Sequence, residues 1–402
     1  MLPATLRNWR RPEILLMVMA AGVPLSFAAW QALLNNFAIE RAGFDGAAMG
    51  ILQSIREIPG FLAFAVIFLL LFVREQSLAI IALLCLGIGT AVTGFFPSVI
   101  GLWITTIVMS LGFHYYETVA ISLSLQWLPK DRAPEMLGRI ISIGSLSGLV
   151  AFAIVWLAFD LAGLDFPWVY MLAGGATVCL ALAAWLAFPR FPQPVEQRRH
   201  MVLRRRYWLF YALTFMQGAR RQIFTVFAGF MMVEKFGYGV GEITLLFLLN
   251  GAINVWLAPR IGRLIIRWGE RRALTFEYIG LIGVFVGYAF VEHAGIAAGL
   301  YVVDHLFFAM AIAIKTYFQK IADPADFAPT AGVGFTINHI AAVVIPAAFG
   351  FVWLVSPAAV FLSGAGIAAL SLVLARNIPA QPAPGNEAVF GRSLATGAAP
   401  AE

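Results

Sequence analysis

Charge is what this 402-residue sequence has least of. Asp, Glu, Lys and Arg make up only 12% of it, about half the roughly 25% usual in a soluble domain. With 61% hydrophobic residues, no water-soluble fold of this length could hide so much apolar surface, so lipid is the expected solvent. Cysteine is nearly absent. Cys85 and Cys179 each lie inside an apolar run, which argues against a disulfide and against a metal centre, whose ligands come in clusters. There is no Gly-x-x-x-x-Gly-Lys-Ser/Thr phosphate loop and no polar stretch long enough for an ATPase domain, so ATP-driven work and a bound cofactor are not expected. A contiguous basic domain is missing too. The net charge of +6 comes from residues scattered in short gaps, which excludes nucleic acid as a partner.

What is present is long apolar runs. A bilayer core about 30 Å thick needs roughly 20 apolar residues per helix. Twelve segments meet that test, near residues 13–36, 47–73, 77–96, 99–127, 138–160, 167–188, 207–233, 241–266, 273–291, 295–320, 332–354 and 357–375. They predict an all-α polytopic membrane protein. Arg7, Arg10 and Arg11 precede the first run as in a signal peptide. That run reaches about Leu34, however, beyond the roughly 7–15 residues of a signal h-region, so it reads as an uncleaved span. The 34 Phe and 11 Trp suit lipid-facing and interfacial positions.

Orientation follows from the basic residues of the short loops. With a cytoplasmic N-terminus, the inside loops hold Arg74; Lys130, Arg132 and Arg139; Arg198, Arg199, Arg204, Arg205 and Arg206; and Arg267, Arg271 and Arg272. The outside loops hold only Arg41 and Lys235. This predicts an inner-membrane protein with both termini cytoplasmic. The polar interruption 191–206 separates an N-terminal half, 1–190, from a C-terminal half, 207–376. Residues 377–402, rich in Pro, Ala and Gly, are expected to form a disordered cytoplasmic tail. The halves repeat. Glu40-Arg41-Ala42-Gly43-Phe44 after segment one matches Glu234-Lys235-Phe236-Gly237-Tyr238 after segment seven. Asp131-Arg132-Ala133-Pro134 after segment four matches Asp326-Phe327-Ala328-Pro329 after segment ten. Two matches at nearly one offset argue for a duplicated six-helix unit.

Twelve segments, a six-plus-six duplication and a basic central loop resemble the major facilitator superfamily (MFS). That family carries a Gly-x-Leu-x-Asp-Arg-x-Gly-Arg-Arg motif between spans two and three, often with a copy between eight and nine. The copy here reads Gly262-Arg263-Leu264-Ile265-Ile266-Arg267-Trp268-Gly269-Glu270-Arg271-Arg272. The resemblance implies a gating role for Gly262, Arg267, Gly269, Arg271 and Arg272. Ile266 occupies the Asp position, and between segments two and three only Arg74-Glu75 remains, so the latch that this Asp makes in the family is not implied here. The Gly-Pro signature of drug antiporters is absent from segment five, Gly138 to Trp156.

An ionisable side chain at mid-bilayer costs at least about 2.5–3.5 kcal/mol, so each needs a partner, a wet cavity or a function. The set is Arg56 and Glu57 on segment two; His114 and Glu117 on four; Arg220 and Arg221 on seven; Asp304, His305 and Lys315 on ten; and His339 on eleven. Segments three, six and twelve have none in their cores, and segment nine has only Glu277 near its start. The resemblance implies that these four are peripheral and that the others line a cavity. Ser110, His114 and Glu117 share a helix face. Asp304 and Lys315, eleven residues apart, return to nearly one face of a regular helix. Arg56 and Glu57, as neighbours, are expected to diverge. Arg260 and Lys320 read as snorkelling residues, and Asn250 and Asn254 as helix-packing amides. A structural ion pair is an equally good reading for any single charge here, and a packing role for His339.

The reading that fits these features is secondary active transport of a small solute by alternating access, with lipid around it and a monomer expected. Arg56, Arg220, Arg221 and Lys315 outnumber Glu57, Glu117 and Asp304, which leans towards an anionic or zwitterionic solute. Arg220, Arg221, Arg56, Lys315, Asn250 and His339 are the candidate substrate ligands. Glu117, His114, Glu57, Asp304 and His305 are the candidate proton-coupling groups. A transporter-like sensor or assembly factor is the alternative. An intramembrane transferase using His114 and Glu117 as acid and base is the weaker one, because no His/Asp/Glu cluster sits at a membrane surface; no enzyme activity is expected.

Overall fold

A computed structural model describes residues 9–128, 133–192, 203–323 and 326–390. Helices cover all twelve segments. They are α1 Pro12–Ala42, α2 Gly46–Phe61, α3 Glu75–Thr93, α4 Val99–Trp127, α5 Ala133–Trp156, α6 Phe166–Ala187, α7 Trp208–Ile223, α8 Val240–Trp268, α9 Glu270–Phe290, α10 Ala294–Phe308, α11 Ile312–Ile321, α12 Phe327–Val355 and α13 Pro357–Arg376. Segment ten is α10 plus α11, so α12 and α13 are segments eleven and twelve. Among the described residues, nine helices are long and apolar enough to cross a membrane by length and composition. Segments two, seven and eight fall short of that measure.

The breaks have local causes. Pro59 sits inside α2, where its ring removes one backbone donor and crowds the preceding turn. The helix gives way to a 3-10 turn, Ala63–Ala65, and a last short stretch, Val66–Leu69. Segment seven passes from α7 into a π turn, Phe224–Ala228, then Gly229–Glu234. Segment ten is interrupted by the 3-10 turn Ala309–Ala311.

The chain divides into two compact units. One comprises residues 1–48, 55–197 and 238–248; the other comprises 49–54, 198–237 and 249–402. Inside the first, α1 packs on α5 and α6, and α3 packs on α4 and α6. Inside the second, α7 packs on α12 and α13, and α9 packs on α10 and α13. In segment numbers the pairs 1–5, 1–6, 3–4 and 3–6 become 7–11, 7–12, 9–10 and 9–12, each moved by six. The repeat seen in the sequence is therefore also a repeat of packing. Gly43 and Gly237, equivalent in the repeat, both take a left-handed backbone, φ 65° and 68°, the usual way a helix ends on glycine. Asp131 and Arg132 of the second repeat lie outside the described residues, as do 193–202 of the central loop.

Small residues let the helices of the first unit approach closely, as expected where lipid removes the hydrophobic drive. A Cβ on Gly112 of α4 would fall 2.2 Å from the Leu86 amide nitrogen of α3, and one on Gly174 of α6 would fall 2.3 Å from that of Ala91.

The tail differs from its sequence reading. Residues 377–390 form a hydrogen-bonded loop with Ile378 fully buried, whereas 391–402 lie outside the described residues. Three prolines, Pro379, Pro382 and Pro384, limit the freedom that docking must remove. A short segment with few apolar groups can therefore stay ordered.

Candidate functional site

In the second unit, Arg220 is buried with 2% exposure. A helical side chain leans towards its own N-terminus, so Arg220 reaches back along α7 to where α9 and α13 meet it. Its Nη2 donates to Glu277 Oε1 at 3.0 Å and its Nη1 to Ser371 Oγ at 3.2 Å. Its guanidinium carbon lies 4.6 Å from the centre of the Tyr278 ring. Glu277 is wholly buried, and its Oε2 has no hydrogen-bond partner among the described residues. Asp304 on α10 is buried at 5% and lies within Coulombic range of both Arg220 and Glu277. One buried guanidinium thus has two buried carboxyl groups in its neighbourhood, one of them, Glu277, in direct contact. Glu277 stood outside the sequence-based site because it sits early in segment nine. The signal that could have found it was the reach of Arg220 towards that same end.

The other sequence candidates of this unit are spread around that cluster. Arg221 is exposed, its guanidinium 5.5 Å from the Phe308 ring centre, immediately before the π turn. His305 packs on Phe224 and Tyr301. Its Nδ1 lies 2.9 Å from the Tyr301 carbonyl. His339 is buried, its Nδ1 2.8 Å from the Phe335 carbonyl. A carbonyl only accepts, so in both rings Nδ1 carries the proton and Nε2 is the acceptor nitrogen of the neutral form. Asn250 is buried, and neither amide atom has a hydrogen-bond partner among the described residues. Such a group is costly unless a ligand or water satisfies it. Asn254 is exposed. Lys315 is exposed while Asp304 is buried, so they do not share a face. The 3-10 turn between them advances about 120° per residue where an α-helix advances about 100°. Over Ala309–Ala311 that swings Lys315 away.

In the first unit, Arg56 and Glu57 do not diverge. They form an ion pair, with side chains 11% and 10% exposed. Neighbouring positions are about 100° apart on a helix, but both side chains are long enough to fold together. The Arg56 guanidinium also lies 6.0 and 5.8 Å from the ring centres of Phe27 and Trp30. The Ser110 hydroxyl donates to the Arg56 carbonyl, within one turn of Pro59. His114 is buried and Glu117 half-buried on the same face of α4.

At the end of the second unit where α7 begins and α11 ends, Tyr207 is fully buried. Its hydroxyl donates to Asp326 Oδ2 at 2.8 Å. Arg204 also bonds Asp326, at 2.9 Å, and Arg206 pairs with Asp323. The bond from Arg204 holds the Asp326 carboxyl below the usual carboxylate range. In the motif loop the chain turns at Gly269, φ 78°. Glu270 pairs with Lys320 at 2.7 Å, which ties the start of α9 to the end of α11. Gly262 and Arg271 are half-buried, and Arg267 and Arg272 are exposed.

Solved structures share this fold. A mutant form of the nucleoside transporter NupG matches with a TM-score of 0.76 at 15% identity, over 91% of this chain and 99% of that one. A POT family transporter in complex with 5-aminolevulinic acid gives 0.70 at 12% identity, over 90% and 94%. A bacterial homologue of the human lysosomal transporter Spinster, inward-facing and unoccupied, gives 0.68 at 12% identity, also over 90% and 94%. No curated protein matches in sequence. The sequence pattern of the Major Facilitator Superfamily matches residues 14–346, most of the chain, and so this chain belongs to that superfamily.

Proposed function

We propose that the protein is a secondary active transporter that moves a small anionic or zwitterionic solute across the inner membrane by alternating access, driven by protons. The observation that carries the reading is the Arg220–Glu277–Asp304 cluster. A charge in a dry interior must be neutralised, and one guanidinium can neutralise only one of two carboxylates. The second must hold a proton, release it to a wet pathway, or be met by a cation. Glu277 already accepts from Arg220, which leaves Asp304 as the group that exchanges the proton, with Glu117 of α4 as its rival. Arg220 is engaged by Glu277 and Ser371. Arg221, exposed beside the π turn, is the candidate to meet an anion, since its planar fork suits a carboxylate or phosphate. The POT family structure holding 5-aminolevulinic acid supports a search among small amino and organic acids.

Purified protein in proteoliposomes, given labelled organic and amino acids under an inward proton gradient, is expected to accumulate one of them until a protonophore is added. Asp304→Asn should abolish accumulation and keep exchange of internal for external solute. Arg221→Lys should weaken binding by about 1–3 kcal/mol, the scale of a charge-assisted hydrogen bond. Accumulation by Asp304→Asn at the wild-type level would move the proton to Glu117, to be checked with Glu117→Gln. Accumulation indifferent to the protonophore would remove proton coupling altogether.

A further inference from the structure

The loop after α13 is held at both of its ends. At its base, the Asn377 carbonyl accepts from the Val389 amide at 2.8 Å, and the Asn377 side-chain oxygen accepts from the Phe390 amide at 2.6 Å. Between these points the chain reverses at Gly385, φ 81°. The Asn386 amide donates to the Ala383 carbonyl at 2.9 Å, and Glu387 Oε1 accepts from the Gly385 amide at 2.9 Å. On the returning side, the Glu387 carbonyl accepts a hydrogen bond from the Tyr317 hydroxyl at 2.5 Å. Tyr317 belongs to α11 and is fully buried, as is Ile378 beneath the loop.

Helix α11 is the part of segment ten that lies beyond the 3-10 turn Ala309–Ala311. A 3-10 stretch inside a helix is a place where the ladder bends at low cost, and this one follows Asp304 and His305 by one turn. A tie on α11 is therefore a tie on that bend. We propose that residues 377–390 are a strap that clamps α11 to the end of α13 and restrains bending of segment ten at Ala309–Ala311. The Lys320–Glu270 pair and the Asp326 cluster lie towards the far end of α11. Among the described residues the strap is the hydrogen-bonded tie of α11 nearest the bend, and it lies outside the helices, so it can open without breaking one. The strap depends on neither the identity of the solute nor proton coupling.

Hydrogen exchange read by mass spectrometry on the full chain in detergent tests this directly. The wild-type protein should protect amides in 378–390. Gly385→Val, which opposes a positive φ, and a chain ending at Asn377 should both speed exchange in 312–321 by about tenfold, the scale of a local opening made easier by one or two hydrogen bonds. Exchange in α9 should stay unchanged. Free-peptide exchange of 378–390 in the wild type would overturn the proposal, as would unaltered exchange of 312–321 in both variants. Faster exchange throughout α9 as well as α11 in both variants would also overturn it, because the loop would then support the fold at large and not one bend.

Discussion

Asp326 shows how much one side chain can organise in a protein with few charges. It accepts from Arg204 and from the Tyr207 hydroxyl, and so joins the start of segment seven to the start of segment eleven. Arg204 keeps its carboxyl below the ordinary range. A depressed carboxylate contributes stability at every pH above its unfolded value of about 3.9, and that contribution is lost as pH falls through the lower folded value. Asp326→Asn should therefore lower the melting temperature at pH 7, by the equivalent of about 1 kcal/mol because Arg204 is half exposed. It should flatten the acid-side loss seen in the wild type. Equal melting curves for the two proteins at pH 7 and a common acid slope would show that the cluster contributes nothing. At this scale the sequence was half legible. Intramembrane charge flagged Arg56, Glu57, Arg220 and Asp304, because the cost of burying charge is a property of residue type. The partners were not legible, because they depend on side-chain reach. Arg56 closes on its neighbour Glu57, and Arg220 extends back to Glu277.

Elements were read from apolar runs, and the runs locate all twelve segments. The runs do not carry the breaks. Nothing in the apolar content of Ala309–Ala311 or Phe224–Ala228 separates a 3-10 or π turn from an α-helix, since all three can be built from the same apolar side chains. The misplaced Lys315 follows from that. Pro59 is the exception, because its chemistry forces the disturbance. Close helix contacts were equally silent in a sequence with 37 glycines. Space around Gly112 and Gly175 separates a packing glycine from an incidental one: Gly112 abuts the α3 backbone, while a Cβ on Gly175 meets nothing within 4 Å. Gly112→Ala should cost about 1–3 kcal/mol through overpacking, seen as a lower melting temperature in detergent. Gly175→Ala should melt like the wild type. Two variants that melt alike would mean that α3 and α4 are not in backbone contact.

At the scale of the molecule, the duplication is the feature legible in both sequence and structure. Matched loops, matched left-handed glycines and matched helix pairs all step by six segments, and a duplicated unit of six crossings returns the chain to the side where it began. The lopsided placement of Arg and Lys carries the expectation that both termini are cytoplasmic. Segments two, seven and eight are the ones on which the count of twelve turns, because they fall short by length and composition. Loops that flank them supply the probes. In a background with Cys85 and Cys179 replaced by Ala, single cysteines can be placed at exposed positions: Arg41 and Arg74 on either side of segment two, Lys235 after segment seven, and Arg272 after segment eight. Gly43 and Gly237 are poorer sites, since their positive φ would strain a cysteine. With a membrane-impermeant maleimide on intact cells stripped of their outer barrier, Arg41→Cys and Lys235→Cys should label. Arg74→Cys and Arg272→Cys should label only after the membrane is opened. If Arg41→Cys and Arg74→Cys react on the same side, segment two does not cross. If Lys235→Cys stays protected, segments seven and eight form a re-entrant pair, and the halves are not alike in the membrane however alike they are in packing.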